Sequence, residues 1–154
     1  MVAVLFVCTG NICRSPLAEA ALRDLCAREG LDVTVDSAGT GRWHIGDPPD
    51  RRARAVAREA GLTIDAYQAR VVTPSDFERF THIVALDRSH LAALRRMAPA
   101  GSPARVSLLL DHVAGRAGQD VADPYYGTLE DFRVTWRDVR DGADALLPLL
   151  RQAP

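Results

Sequence analysis

The feature that most constrains this chain is a junction near its start. Val2 to Val7 is a short, wholly apolar run, and it breaks directly into Cys8-Thr9-Gly10-Asn11-Ile12-Cys13-Arg14-Ser15-Pro16. The run has the length and composition of a strand buried on both faces. Ala18, Ala21, Leu22 and Leu25 then repeat at helical spacing, so the junction reads strand, loop, helix. Ser15 is a good N-cap and Pro16 a good first helical residue, which predicts that the loop ends on a helix N-terminus. In open α/β sheets ligands gather at the carboxyl ends of strands, where this loop falls.

The rest of the chain repeats the alternation. Val33 to Asp36, His82 to Leu86 and Arg105 to Leu109 read as further strands, and Ala53, Val56, Ala57 and Ala60 as a second helix. Gly30 and Gly61 are placed to cap the first two helices. Thr73-Pro74 and Asp87 to Ser89 open further helices, the latter running through Leu91 and Leu94. Leu129, Phe132, Trp136, Val139, Ala143 and Leu146 form the stripe of a long C-terminal helix, which Pro148 should end or kink. The pattern predicts an α/β domain in three layers, a four-stranded parallel sheet flanked by helices. With 154 residues and 47% apolar content, residues 1–154 read as one domain. No repeat, low-complexity tract or linker interrupts it.

Nineteen basic and twenty acidic residues nearly cancel, which argues against nucleic-acid or membrane-surface partners. No stretch approaches the roughly 20 apolar residues of a membrane span, and the start lacks a basic leader. All nineteen basic residues are Arg. Without Lys, neither Schiff-base chemistry nor a G-x-x-x-x-G-K-[ST] nucleotide loop is available. Cys8, Cys13 and Cys26 are an odd set in a chain large enough to fold without staples, which points to a reducing, cytoplasmic setting.

Free thiols, a loop and a helix N-terminus together suggest phosphate chemistry. Gly10 and Asn11 both tolerate left-handed backbone angles, so the loop can curl and aim successive amides at an anion. Arg14 adds a planar fork suited to two phosphate oxygens. Cys8 would then lie where amides, helix dipole and guanidinium favour a thiolate, ready to form a phosphocysteine intermediate, with the Ser15 hydroxyl assisting the sulfur's departure. An isolated Cys is more often a small buried residue, and the Cys8/Cys13 spacing also allows a metal pair. The full string argues against the first reading, and the lack of further clustered Cys or His argues against the second.

Asp111 to Gly127 has no periodicity and exceeds the ~12 to 15 residues beyond which structureless connections are usually functional. It contains Asp123-Pro124-Tyr125-Tyr126-Gly127. A departing tyrosine phenolate has a pKa of about 10, so an acid that protonates it is valuable, and Asp123 is the candidate. Pro124 favours an extended Asp123, and Tyr125 and Tyr126 offer flat walls for an aromatic substrate. The same five residues also read as an ordinary Asp-Pro turn closed by Gly127.

Both strings, with Val4 to Val7 before the first and Asp36-Ser37-Ala38-Gly39-Thr40 after the second strand, resemble the low-molecular-weight protein-tyrosine phosphatase family. The resemblance implies a flavodoxin-like strand order and hydrolysis of phosphotyrosine in proteins, with no cofactor and no metal. It matches Cys8, Arg14 and Asp123 to nucleophile, phosphate clamp and general acid, and Asn11 and Ser37 to residues that hold the loop's shape. Thr9, Gly10, Asn11, Ile12, Cys13 and Ser15 fall in the substrate-binding loop, and Trp43 falls where the family tends to have an aromatic wall, unless it is scaffold. Cys13 matches a cysteine that in many members pairs reversibly with the nucleophile under oxidants, unless it is simply packed. Ile12 stands where relatives acting on phosphoarginine carry Thr, and a branched apolar side chain suits an aromatic ring better. The implied partners are phosphate-like anions and a phosphotyrosine protein such as a cognate tyrosine kinase, with the enzyme a monomer or weak oligomer.

His90 stands where relatives often have Asn in an Asp-x-x-Asn pattern with Asp87, and Tyr67 opens a segment that often starts with His. His44, His82, His90 and His112 form no sequence cluster, Cys26 reads as packed, and Arg51, Arg52, Arg54 and Arg58 read as a solvated helix face. Two rivals remain. Arsenate reduction on the same fold needs a distant cysteine pair, and no Cys follows Cys26. A silent phosphoprotein-binding module would keep the anion loop without turnover.

Overall fold

A computed structural model describes residues 1–152 of the chain. In order, the elements are β1 (Val2–Cys8), α1 (Arg14–Glu29), β2 (Val33–Gly39), α2 (Arg51–Glu59), α3 (Asp76–Arg79), β3 (His82–Ala85), α4 (Arg88–Met97), β4 (Arg105–Leu108), a 3-10 turn (Leu109–His112) and α5 (Leu129–Gln152). The four strands form one sheet in the order β2-β1-β3-β4, and every pairing is parallel. This is the flavodoxin-like order.

The apolar start of the chain becomes a central strand because it has two faces to bury. Val4, Phe6 and Cys8 enter a core with Leu17, Leu22, Val35, Phe132 and Val139, beneath α1, α2 and α5. Ala3, Leu5 and Val7 enter a second core with Phe77, Ile83 and Leu94, on the side of α3 and α4. Period-two alternation thus feeds both layers from one strand, which a continuous apolar run permits. Among the described residues no helix is long and apolar enough to cross a membrane.

Several boundaries differ from those predicted. The first helix begins at Arg14 with Cys13 as N-cap, so Ser15 and Pro16 lie inside its first turn. Ser15 does not cap because its hydroxyl is engaged by Cys8 and Asn11. Strand β2 runs on to Gly39, beyond the expected Asp36, because Gly39 pairs with Cys8 on one side and bridges to Val71 on the other. Helix α5 passes through Pro148 to Gln152. Pro148 lies in its last turns, where only one ladder bond is at stake, and buried Leu146, Leu147 and Leu150 hold the helix on the core. Gly30 caps α1 in the left-handed conformation (φ 67°), as predicted.

Candidate active site

Strands β1 and β3 are neighbours, with Val7 opposite Ala85. The segments that follow them therefore share one edge of the sheet, which brings Arg14, at the far end of the loop after β1, to Asp87, just after β3. Between β1 and α1 the loop turns on Asn11, its one left-handed residue (φ 59°). Gly10 was expected to share that role and does not. Its missing side chain makes room instead, since a Cβ there would sit 3.0 Å from His44 Cδ2.

The loop is held from outside and from below. The carbonyls of Cys8, Thr9 and Ile12 accept from the amides of Thr40, Gly41 and Asp50 at 2.9, 2.9 and 2.8 Å. Beneath, Asn11 Nδ2 donates to Ser15 Oγ (2.8 Å) and Ser37 Oγ (3.0 Å), while its Oδ1 accepts from the Arg70 amide (3.0 Å). Ser37 in turn donates to buried Glu19 at 2.7 Å. Burial raises the Glu19 pKa above its ordinary value, against the opposing Ser37 bond. Gly39 closes the packing: a Cβ there would lie 2.6 Å from the Thr9 carbonyl oxygen. With its carbonyls turned outward, the loop keeps the amides of Gly10, Asn11, Ile12 and Cys13 without a partner among the described residues. That is the donor set of an anion nest at a helix N-terminus.

Cys8 is buried, with Sγ 3.0 Å from Ser15 Oγ. Arg14, also buried, bonds through Nη1 to Asp87 Oδ2 (2.8 Å) and to the Val121 carbonyl (2.9 Å), which fixes one edge of the guanidinium. Burial pushes the Asp87 carboxyl up, but bonds from Ser89, the His90 amide and Arg14 outweigh it and hold the pKa at about 2. His90, which sequence reasoning left unassigned, joins this group: its Nε2 lies 2.8 Å from Thr9 Oγ1. Its Nδ1 is 3.2 Å from Asp87 Oδ1 but misaligned, and takes no hydrogen bond among the described residues. The direction of the Thr9–His90 bond follows the tautomer: with the proton on Nδ1, towards the carboxylate, Nε2 accepts from the Thr9 hydroxyl, and with it on Nε2 the ring donates. Burial lowers the His90 pKa to about 4, keeping the ring neutral.

Asp123 stands across the mouth, half exposed, with Oδ2 3.8 Å from Arg14 Nη2 and Oδ1 accepting from the Tyr125 amide at 3.1 Å. Cys8, Thr9, Gly10, Ile12, Cys13, Arg14, Trp43, His44, Asp123, Tyr125 and Tyr126 line one cavity of about 370 Å³. Asn11, Ser15 and Ser37 lie behind the loop wall, both hydroxyls accepting from the Asn11 amide. Trp43 is 76% and Tyr126 94% exposed, so both are rim residues. The Trp43 ring lies over Gly41, where a Cβ would clash with it. Burial, followed by the charges of Asp50, Cys8 and Asp123, raises the Cys13 pKa well above the ordinary thiol value, so Cys13 is a neutral thiol.

Asp87, His90 and His44 were the residues that sequence reasoning did not assign to the site. For Asp87 a signal existed, since it directly follows the strand beside β1.

A buried thiol beneath a loop of free amides at a helix N-terminus, with a buried Arg beside it and a carboxylate opposite, is the arrangement of an enzyme that handles a phosphate-like anion through a loop cysteine. The family described as low molecular weight phosphotyrosine protein phosphatase matches residues 3–153. Among similar proteins, the low molecular weight protein-tyrosine-phosphatase YfkJ of Bacillus subtilis is 40% identical, covering 99% of this chain and 97% of its own. Its crystal structure superposes with a TM-score of 0.89. A low molecular weight protein-tyrosine-phosphatase of Streptomyces coelicolor is 45% identical over 97% of this chain and 93% of its own. The crystal structure of a Drosophila arginine phosphatase superposes with a TM-score of 0.91 at 31% identity, covering 98% of this chain and 99% of that one. The chain belongs to the low molecular weight protein-tyrosine phosphatase family.

Proposed function

We propose that this enzyme hydrolyses phosphotyrosine in proteins through Cys8 as nucleophile, Arg14 as phosphate clamp and Asp123 as general acid and base. The phosphoryl group enters the loop, its oxygens facing the free amides and the unoccupied edge of Arg14. The Cys8 sulfur attacks phosphorus as the P–O bond to the ring breaks, and the leaving phenolate oxygen takes the proton of Asp123. Asp123, now a carboxylate, takes a proton from water. The water oxygen attacks phosphocysteine, the S–P bond breaks, and inorganic phosphate leaves with the thiolate restored. The Ser15 hydroxyl, 3.0 Å from Sγ, can donate to the departing sulfur. Protein groups and water balance every step, so the mechanism calls on no cofactor or metal.

The observation that carries this reading is the meeting at one cavity of Cys8 and Arg14, the two ends of the phosphate loop, with Asp123 from a segment more than a hundred residues away. On the same reading Thr9, Gly10, Asn11, Ile12, Cys13 and Ser15 supply the loop, Ser37 braces it, and Trp43, Tyr125 and Tyr126 receive the tyrosine ring. Ile12, at the cavity wall, gives that ring an apolar surface. The likeness to arginine phosphatases favours a second substrate, phosphoarginine, for which an apolar wall beside a guanidinium is a poor match.

Residues 1–154 act as one phosphatase domain in this account. Its partners are phosphotyrosine proteins, a cognate tyrosine kinase among them, and phosphate-like anions, with no role for nucleic acid or membrane. Three buried free thiols suit the cytoplasm, and Cys13 is the candidate redox partner of Cys8. The test compares Cys8→Ser with the parent on phosphotyrosine and phosphoarginine peptides. Turnover should fall by at least about 10³-fold while inorganic phosphate still binds. Equal turnover in the variant, or a preference for phosphoarginine, would contradict the assignment.

A further inference from the structure

Asp123 must be held over the leaving group, yet few bonds hold its segment. On its N-terminal side Val121 is secured: its amide donates to the Leu86 carbonyl at 2.9 Å, and its carbonyl accepts from Arg14. On the C-terminal side, from Tyr125 to Gly127, the chain is exposed and belongs to no strand or helix. What meets it there is Arg52, from the first turn of α2. Arg52 Nη2 donates to the Tyr125 carbonyl and Nη1 to the Gly127 carbonyl, both at 2.9 Å. Its guanidinium lies 4.4 Å from the centre of the Phe132 ring, at the start of α5.

The other edge of that guanidinium is also engaged. Nε and Nη2 bond to the two oxygens of Asp50, each at 3.0 Å. Asp50 caps α2 by accepting from the Arg52 amide at 2.8 Å, and its own amide donates to the Ile12 carbonyl at 2.8 Å. Burial works against the Asp50 carboxylate, but the bonds from Arg52 prevail and keep its pKa below the usual range. A continuous path therefore runs from the phosphate loop through Asp50 and Arg52 to the two carbonyls that flank Tyr126. Arg52 had read as part of a solvated face, and only the fold reveals that it crosses to another segment.

We propose that Arg52 is a positioning residue that fastens the Asp123 segment to the phosphate loop, setting the distance between proton donor and leaving group. The proposal rests on the acid role assigned to Asp123 above. Only a guanidinium can hold a carboxylate on one edge and two carbonyls on the other, so Lys is a poor replacement. Arg52 touches neither the anion nest nor Cys8, so phosphate binding should be spared.

The experiment measures kcat/KM for aryl phosphates whose leaving groups range from a dinitrophenolate to unsubstituted phenolate. This parameter reports the first phosphoryl transfer, the step in which the leaving group is protonated. The parent, Arg52→Met, Arg52→Lys, Asp123→Asn and the Arg52→Met/Asp123→Asn pair are compared, with inorganic phosphate inhibition and Tm recorded for each. Arg52→Met retains an apolar stem over Phe132. It should lose about 10-fold on phenyl phosphate and under about 3-fold on the dinitrophenyl ester, as expected for a misplaced acid. Arg52→Lys should show the same slope, and phosphate inhibition should be unchanged. In the Asp123→Asn background the Arg52 substitution should add less than about 2-fold.

Equal losses across all leaving groups for both Arg52 variants, or losses that multiply fully with Asp123→Asn, would overturn the proposal. If Asp123→Asn itself gave a uniform loss, the acid assignment would fall and this proposal with it. A steep Asp123→Asn with flat Arg52 variants would remove Arg52 alone. If Arg52→Met is too unstable to assay, the slope of Arg52→Lys decides.

Discussion

Asn11 has its amide bonds satisfied beneath the phosphate loop and Ser37 passes the network on to Glu19, whereas Asp123, across the same cavity, is half exposed with one bond to its own turn. The first region presents amides whose orientation is fixed before any anion arrives, so little reorganisation is needed when charge builds on the phosphoryl oxygens. The second is a short exposed stretch secured at Val121 and by Arg52. On the proposed mechanism, one end of the cavity recognises a group common to all phosphate esters, and the other meets leaving groups of varied shape. Rigidity is concentrated where the ligand is constant.

That contrast can be broken most strongly at Asp123. Asp123→Asn should reduce kcat/KM for phenyl phosphate by about 10² to 10³-fold, affect a dinitrophenyl ester far less, and leave phosphate inhibition unchanged. A matching loss of phosphate affinity would mean that the two regions are not separable. Next in size is Gly39→Ala. Its Cβ would press on the Thr9 carbonyl oxygen from 2.6 Å, and moving the loop should lower phosphate affinity and turnover together, by about 10²-fold, whatever the leaving group. Steady-state kinetics with phosphate as inhibitor distinguishes the two patterns.

The smallest effect sharpens the comparison through pH. His90 has its pKa lowered from 6.5 to about 4, chiefly by burial, so the unfolded chain takes up a proton that the folded chain refuses. Stability contributed by the neutral ring is complete above about pH 6.5 and is lost as pH falls towards 4, by roughly 3 kcal/mol across the window. Urea unfolding of His90→Asn, which keeps a hydrogen-bonding group near Thr9, should show a shallower decline between those pH values. An unchanged slope would remove His90 from the acid response. Asp87, held at about 2, keeps its charge and its bond to Arg14 throughout that range.

Much of the contrast was legible before the structure. The strand-loop-helix junction and the parallel sheet follow from local composition, and the candidates Cys8, Arg14 and Asp123 come from patterns that the fold then brings to one cavity. What escaped was set by three-dimensional contacts, some of them between distant segments. Ser15 reads as a cap in isolation, but Cys8 and Asn11 compete for its hydroxyl. Gly10 reads as a left-handed hinge, and its real constraint is the His44 ring, more than thirty positions away. Arg52 lies among arginines of α2, and although Asp50 two residues before it is one partner, the carbonyls that give it a role across the cavity lie more than seventy residues on. Pro148 warns of a broken helix, and tertiary burial of the neighbouring leucines overrides it.

The central claim is covalent transfer to Cys8. Mixing the enzyme with a fast-leaving aryl phosphate, quenching in denaturant within milliseconds and mapping the phosphoryl group by mass spectrometry tests it directly. The account predicts a phosphoryl group on the peptide containing Cys8, appearing in a burst with the phenol and absent from Cys8→Ser. Full phenol release by the parent with no phosphorylated Cys8 peptide, or a phosphoryl group on any other residue, would contradict it.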